Sequence, residues 1–134
     1  QALDDGAYFQ LSSGSPGARF TALEAEEIAN GSRSIVVRTK PYQKYAKQAI
    51  FLLGGGKIHA LYVEGFPEGP LPVKTVKEDM VKEHGMTDKE WTEKLGDAKK
   101  VWVYRPRILK HYEEPKEFKL PDLVVGPYIH HVKT

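Results

Sequence analysis

Arginine, lysine and hydroxyl side chains crowd one short stretch of this sequence, Asn30-Gly31-Ser32-Arg33-Ser34-Ile35-Val36-Val37-Arg38-Thr39-Lys40. Guanidinium and ammonium groups make charge-assisted bonds to phosphate, and arginine's planar fork of donors gives those bonds direction. Ser34 adds a hydroxyl that can bond a phosphate or a base edge. Just beyond, Tyr42 and Tyr45 interleave with Lys44 and Lys47. Rings among lysines suit stacking on unpaired bases while ammonium groups hold the backbone. Trp91 offers a further stacking face, whereas Trp102 lies in an apolar run and reads as core. The chemistry expected of this set is nucleic-acid binding, with Arg33, Ser34, Arg38, Lys40, Tyr42, Lys44 and Trp91 at the interface. Replacing Arg33 and Arg38 together by alanine is expected to weaken binding without unfolding the domain. The competing reading of these charges is a solvated face with weak surface pairs.

If the chain catalyses a reaction, Lys40, Glu64 and His84 are its candidate acid–base groups. Glu64 follows an apolar segment, and histidine changes charge near neutral pH. The run Gly54-Gly55-Gly56-Lys57 lacks the hydroxyl and the strand-to-helix context of a phosphate-binding loop, so it reads as a hairpin turn. His130 and His131 are adjacent and would point to opposite faces of a strand, while His59, His84 and His111 have no ligand-like spacing. No metal and no cofactor is expected.

The elements that must position these groups follow from local signals. Thr21 can cap a helix, with Glu24 three residues on to complete a capping box, and Gly31 supplies its left-handed end. Ile35, Val36 and Val37 then favour a strand. Two apolar segments, Gln48 to Leu53 and Lys57 to Phe66, flank the glycine turn, and the second is apolar on both faces, which predicts a central strand. Pro67 to Pro72 reads as a loop. A helix is expected from about Val73 to His84, stopped by Gly85, and a second from Thr87 to about Gly96. Val101 to Tyr104 and Ile108-Leu109 read as strand residues broken by a bend at Arg105-Pro106-Arg107. After a charged, proline-marked stretch from His111 to Pro121, Gly126 to Val132 can add a last strand. The N-terminal residues 1–19 read as a loose arm or an edge strand near Ala7 to Leu11, and residues 20–134 as the domain. The order predicts an α+β domain built on a small, mostly antiparallel β-barrel, with an N-terminal helix and a two-helix insertion.

Size and composition agree. The 134 residues make one domain of ordinary size. A formal charge of +2 is too small for indiscriminate nucleic-acid binding, so a local patch must do that work. With no cysteine and no long apolar run, the chain is expected to be cytoplasmic, without a membrane partner. Beginning at Gln1, with no methionine or signal-peptide pattern before it, it is expected to be a trimmed chain or a module cut from a longer one with flanking domains.

With that order in hand, the chain resembles the ASCH group of the PUA-like superfamily. The resemblance rests on Ile28-Ala29-Asn30-Gly31-Ser32-Arg33-Ser34-Ile35-Val36-Val37-Arg38, similar to the group's helix, glycine, basic residue, hydroxyl, strand and arginine pattern. It extends through Val76 to Leu95, where Glu83-His84-Gly85-Met86-Thr87 and a second helix match the group's helical insertion. The resemblance implies a PUA-like pseudo-barrel whose cleft, between the first helix–strand junction and the insertion, takes RNA or a modified nucleoside. Some relatives hydrolyse acylated cytidine with a lysine, a threonine and a glutamate. The matching positions here hold Arg33, Val36 and His84, which lack the proton exchange, the hydroxyl and the carboxylate of that chemistry. A binding module for RNA or a modified nucleoside is therefore expected ahead of an amidohydrolase-like enzyme. A protein-interaction domain of a larger assembly is the third reading.

Overall fold

A computed structural model describes residues 4–134. Gln1 and the start of the expected arm lie outside the described residues. Where an edge strand was expected, the chain forms helix α1, Asp5–Ser12. Its cap is Asp4, whose carboxylate accepts from the Ala7 N–H at 2.7 Å, and this local bond prevails over a glycine- and serine-rich composition. Phe9 of α1 stacks on Tyr112 with ring centroids 4.1 Å apart, which ties the helix down.

Strand β1, Gly17–Phe20, comes next and was not expected from composition. Helix α2, Ala22–Asn30, begins at Thr21, whose hydroxyl accepts from the Glu24 N–H at 3.2 Å, and ends at Gly31 with φ of 87°. Strand β2 is Val36–Arg38. Strands β3, Ala49–Gly54, and β4, Lys57–Val63, pair antiparallel across Gly55 and Gly56, whose φ values of 60° and 77° are those of a type I′ turn. Residues 68–72, read as a loop, form strand β5, Glu68–Pro72. It lies at a sheet edge, where the prolines forfeit no interior ladder bond. The first expected insertion helix is divided at Met80 into α3, Val73–Asp79, and α4, Val81–His84, and α5 is Asp88–Leu95.

Strands β6, Lys100–Tyr104, and β7, Arg107–Glu117, follow on either side of Pro106, and β8 is Tyr128–Ile129. β7 runs through residues expected to be a charged connection. As an edge strand it has one solvated flank, which tolerates those charges and Pro115.

The strands make two sheets, β7-β4-β3-β1-β8 and β2-β6-β5, and the Pro106 bend carries the chain from the second to the first. All pairs are antiparallel except β1 with β3. No strand pair among the described residues joins the two sheets, so the expected barrel is not closed. β4 is interior, as its two apolar faces predicted.

Alternation along β3 sends Ile50 and Leu52 toward α2, and Phe51 and Leu53 into a second cluster with Phe9 and Tyr112. Trp91, Leu95 and Val76 pack the insertion onto Ile35, Val37, Val101 and Val103. No helix among the described residues is long and apolar enough to cross a membrane.

Candidate functional site

A cleft of about 610 Å³ opens where the N-terminus of α2, β1, the glycine turn and the chain after β7 converge. Phe20, Tyr42, Phe118 and Leu120 supply apolar wall, Arg19, Arg38 and Lys94 supply cations, and Gly54, Gly55 and Gly56 supply backbone. The glycines belong to the site's shape. A Cβ on Gly54 would come within 2.6 Å of the Thr21 carbonyl oxygen and one on Gly55 within 2.8 Å of Ala22 Cβ, so the turn lies against the start of α2.

Arg38 enters from the end of β2 and is buried. Its Nη1 and Nη2 donate to Glu64 Oε1 and Oε2 at 2.9 and 2.8 Å, and Nη1 also donates to the Tyr128 hydroxyl at 3.0 Å. Glu64 accepts two further bonds, from Tyr62 and Tyr128, each at 2.6 Å. The guanidinium carbon lies 4.6 Å from the Tyr104 ring centroid and 5.0 Å from that of Tyr128. The carboxylate of the pair is thus saturated with hydrogen bonds and the guanidinium is clamped by rings, which is what a buried pair requires.

Burial alone would raise the Glu64 carboxyl, but the Arg38 charge and the bonds from Arg38, Tyr128 and Tyr62 overcome it and hold the pKa below its ordinary 4.5. Burial also opposes the Arg38 charge, and Glu64 more than restores it. Burial, reinforced by the Glu64 charge, pushes the Tyr62 and Tyr128 phenols above their ordinary 10.0. Glu64 therefore contributes stability that is whole above pH 4.5 and is lost as pH falls through its lowered folded value. The phenols contribute stability that is whole below pH 10.0 and is lost as pH rises through their raised folded values. Thermal melts across pH are expected to show a plateau between those limits with a fall on each side. A midpoint that keeps rising as pH drops below 4.5 would contradict this ordering.

The structure divides the residues that the sequence singled out. Arg38 and Tyr42 line the cleft; Ser34, Lys40, Lys44 and Trp91 do not. Arg33, expected to face ligand, is only 4% exposed, and its Nε and Nη2 donate to Glu27 at 3.1 Å and Glu90 at 2.9 Å. It joins α2 to α5, and its charge is spent on two carboxylates. Ser34 is exposed, and its N–H donates to the Glu83 carbonyl. Lys44 is exposed over the Tyr45 ring, 5.5 Å from its centroid. Trp91 is 4% exposed in the core of the insertion, with no face presented for stacking.

Lys40, Glu64 and His84 do not converge in the cleft. Lys40 is exposed and Glu64 is committed to Arg38. His84 is buried, with Nδ1 accepting from the Met86 N–H at 2.8 Å and Nε2 3.1 Å from the Lys77 carbonyl oxygen. A histidine engaged on both nitrogens staples the insertion.

Other cleft residues escaped the sequence reading as site residues. Glu24, 5% exposed, hydrogen-bonds the Thr21 hydroxyl at 3.1 Å and is ion-paired with Lys94 of α5. The capping box marked Thr21 and Glu24 as local structure, and nothing in the sequence linked them to Lys94. Arg19 and Phe20 sit on the unexpected β1. Arg19 is exposed and has no ion-pair partner among the described residues.

This arrangement of sheets, helix α2 and insertion is similar to the crystal structure of ASCH from Zymomonas mobilis. The TM-score is 0.62 at 10% sequence identity, covering 78% of this chain and 73% of that one. The fold is of the ASCH type. Two single-residue mutants of the Zymomonas mobilis ASCH protein match as well, with TM-scores of 0.57 and 0.55 at 10% identity. They cover 79% and 81% of this chain and 73% of each of theirs. No family model matches the sequence, and no curated protein matches it. The cleft lies against the N-terminus of α2 and strand β2, and the expected junction at residues 30–35 is not part of its lining; Lys94 and Leu95 of the insertion helix α5 stand on its wall.

Proposed function

We propose that the protein binds single-stranded RNA or a modified nucleoside in this cleft. The observation that carries the reading is an open cleft of nucleoside size in which a fixed guanidinium, Arg38, stands beside the rings of Phe20 and Tyr42. Arg19, free of carboxylate partners among the described residues, is the cation best placed to meet a phosphate. It takes the role that the sequence assigned to Arg33. An ASCH-type fold in its solved neighbours is consistent with the reading and supplies the fold alone. Lys40, Glu64 and His84 give an enzyme no common site, so binding is favoured over hydrolysis.

The test is the anisotropy of a short labelled single-stranded RNA titrated with protein at several salt concentrations. Affinity is expected to fall as salt rises. Arg19→Glu is expected to weaken binding about tenfold and to flatten the log–log salt slope by about 0.7 or more, the share of one phosphate contact. Because Arg19 is exposed, the variant's melting temperature should match the wild type. Absence of RNA affinity at low salt would contradict the reading and favour an interaction domain.

A further inference from the structure

Resting on that reading, we propose that Arg38 makes the cleft selective for bases with two adjacent hydrogen-bond acceptors, guanine and cytosine, over adenine and uracil. A guanidinium carries five N–H bonds in one plane. The end of the Arg38 fork, Nη1 with Nη2, is taken by Glu64, and the other Nη1 hydrogen goes to Tyr128. What remains is the side edge, where the Nε–H and the second Nη2–H run parallel. That edge has no acceptor among the described residues. Its Nε is not sealed in either, since the buried side-chain polar atoms left without a partner among the described residues are Trp91 Nε1 and the Tyr112 hydroxyl. Arg38 lines the cleft, so its free edge opens there.

The plane of that edge is fixed. Glu64 holds its end, and Tyr104, Tyr128 and Phe20 lie with ring centroids 4.6, 5.0 and 5.6 Å from the guanidinium carbon. Donors held this way lose little freedom when a ligand arrives, and they tolerate little misfit.

Charge decides which acceptors suit them. Glu64 already balances Arg38, so a phosphate at the side edge would place a second anion beside a neutralised pair. A neutral pair of acceptors meets no such opposition. Guanine offers O6 and N7, the base edge that arginine most often reads, and cytosine offers O2 and N3. Adenine sets an amino donor beside N7 and uracil sets N3–H beside each carbonyl, so either would oppose one N–H with another and leave a buried donor unpaired.

The experiment is calorimetric titration of the wild-type protein with guanosine, cytidine, adenosine, uridine, 7-deazaguanosine and inorganic phosphate. Guanosine or cytidine is expected to bind at least about tenfold more tightly than adenosine and uridine, and phosphate is expected not to compete. Where guanosine binds, 7-deazaguanosine, which lacks the N7 acceptor, should bind about tenfold more weakly. Arg38→Lys keeps a charge opposite Glu64 and removes the side edge, so it should erase the preference, and the wild-type series decides the matter if that variant does not fold. Equal affinity for the four nucleosides would overturn the selectivity and leave the cleft reading standing. So would a 7-deazaguanosine affinity equal to that of guanosine. Binding of phosphate alone would overturn it in favour of an anion site, and binding of none of these probes would overturn both.

Discussion

Glu64→Ala is expected to cost about 3–5 kcal/mol of folding stability, the range found when one partner is removed from a buried ion pair. Glu64 is 1% exposed and Arg38 8%, so the end of the guanidinium that the carboxylate held is left without its counter-charge inside the fold. The hydroxyls of Tyr62 and Tyr128 lose their acceptor in the same step. Arg38→Ala is expected to cost a similar amount, because it strands the carboxylate. This reverses the sequence-based expectation that alanine at Arg33 and Arg38 would spare the fold. The pair is a structural unit, so the double replacement Arg38→Met with Glu64→Leu is expected to be less destabilising than either alanine variant alone. Urea midpoints at constant slope measure this. Single variants within about 0.5 kcal/mol of wild type would show that the pair is solvated.

Trp91→Ala is expected to cost about 3–5 kcal/mol, as for a large aromatic removed from a packed core. Trp91 packs with Val76, Leu95, Val101 and Val103, and its ring centroid is 4.9 Å from that of His84. The loss should loosen the insertion while the folded fraction keeps its RNA affinity, since Trp91 is not part of the cleft wall. That pattern is the opposite of Arg19→Glu, which should weaken binding in a stable protein. A Trp91→Ala protein of unchanged stability and much reduced RNA affinity would return the tryptophan to the stacking role read from the sequence.

The local rules were legible and the long-range pairings were not. Thr21, Gly31, the glycine turn and Thr87 each act within three or four residues, and each forms the cap or turn that its type predicts. α1 and β5 were misread because glycine, serine and proline speak for loops until a cap such as Asp4 or an edge position changes their meaning. The partners of the cations were not legible for another reason. Arg33 meets Glu90 across 57 residues of chain and Arg38 meets Glu64 across 26, and no spacing rule announces either contact. Cation type alone marked both as ligand-facing, whereas burial with a carboxylate sets how much of each remains free. For Arg38 one edge remains; for Arg33 the charge is used within the fold. Arg19 and Phe20 were passed over because β1 is only four residues long and draws its place from pairing with β3 and β8.

The most direct test of the cleft as the binding site is the mapping of backbone amide chemical shifts during titration with single-stranded RNA. The account predicts that the shifts concentrate at Arg19, Phe20, Thr39, Tyr42 and Gly54 to Gly56, which line the cleft. Shifts confined to α1 and β7, or no shifts at saturating RNA, would contradict it.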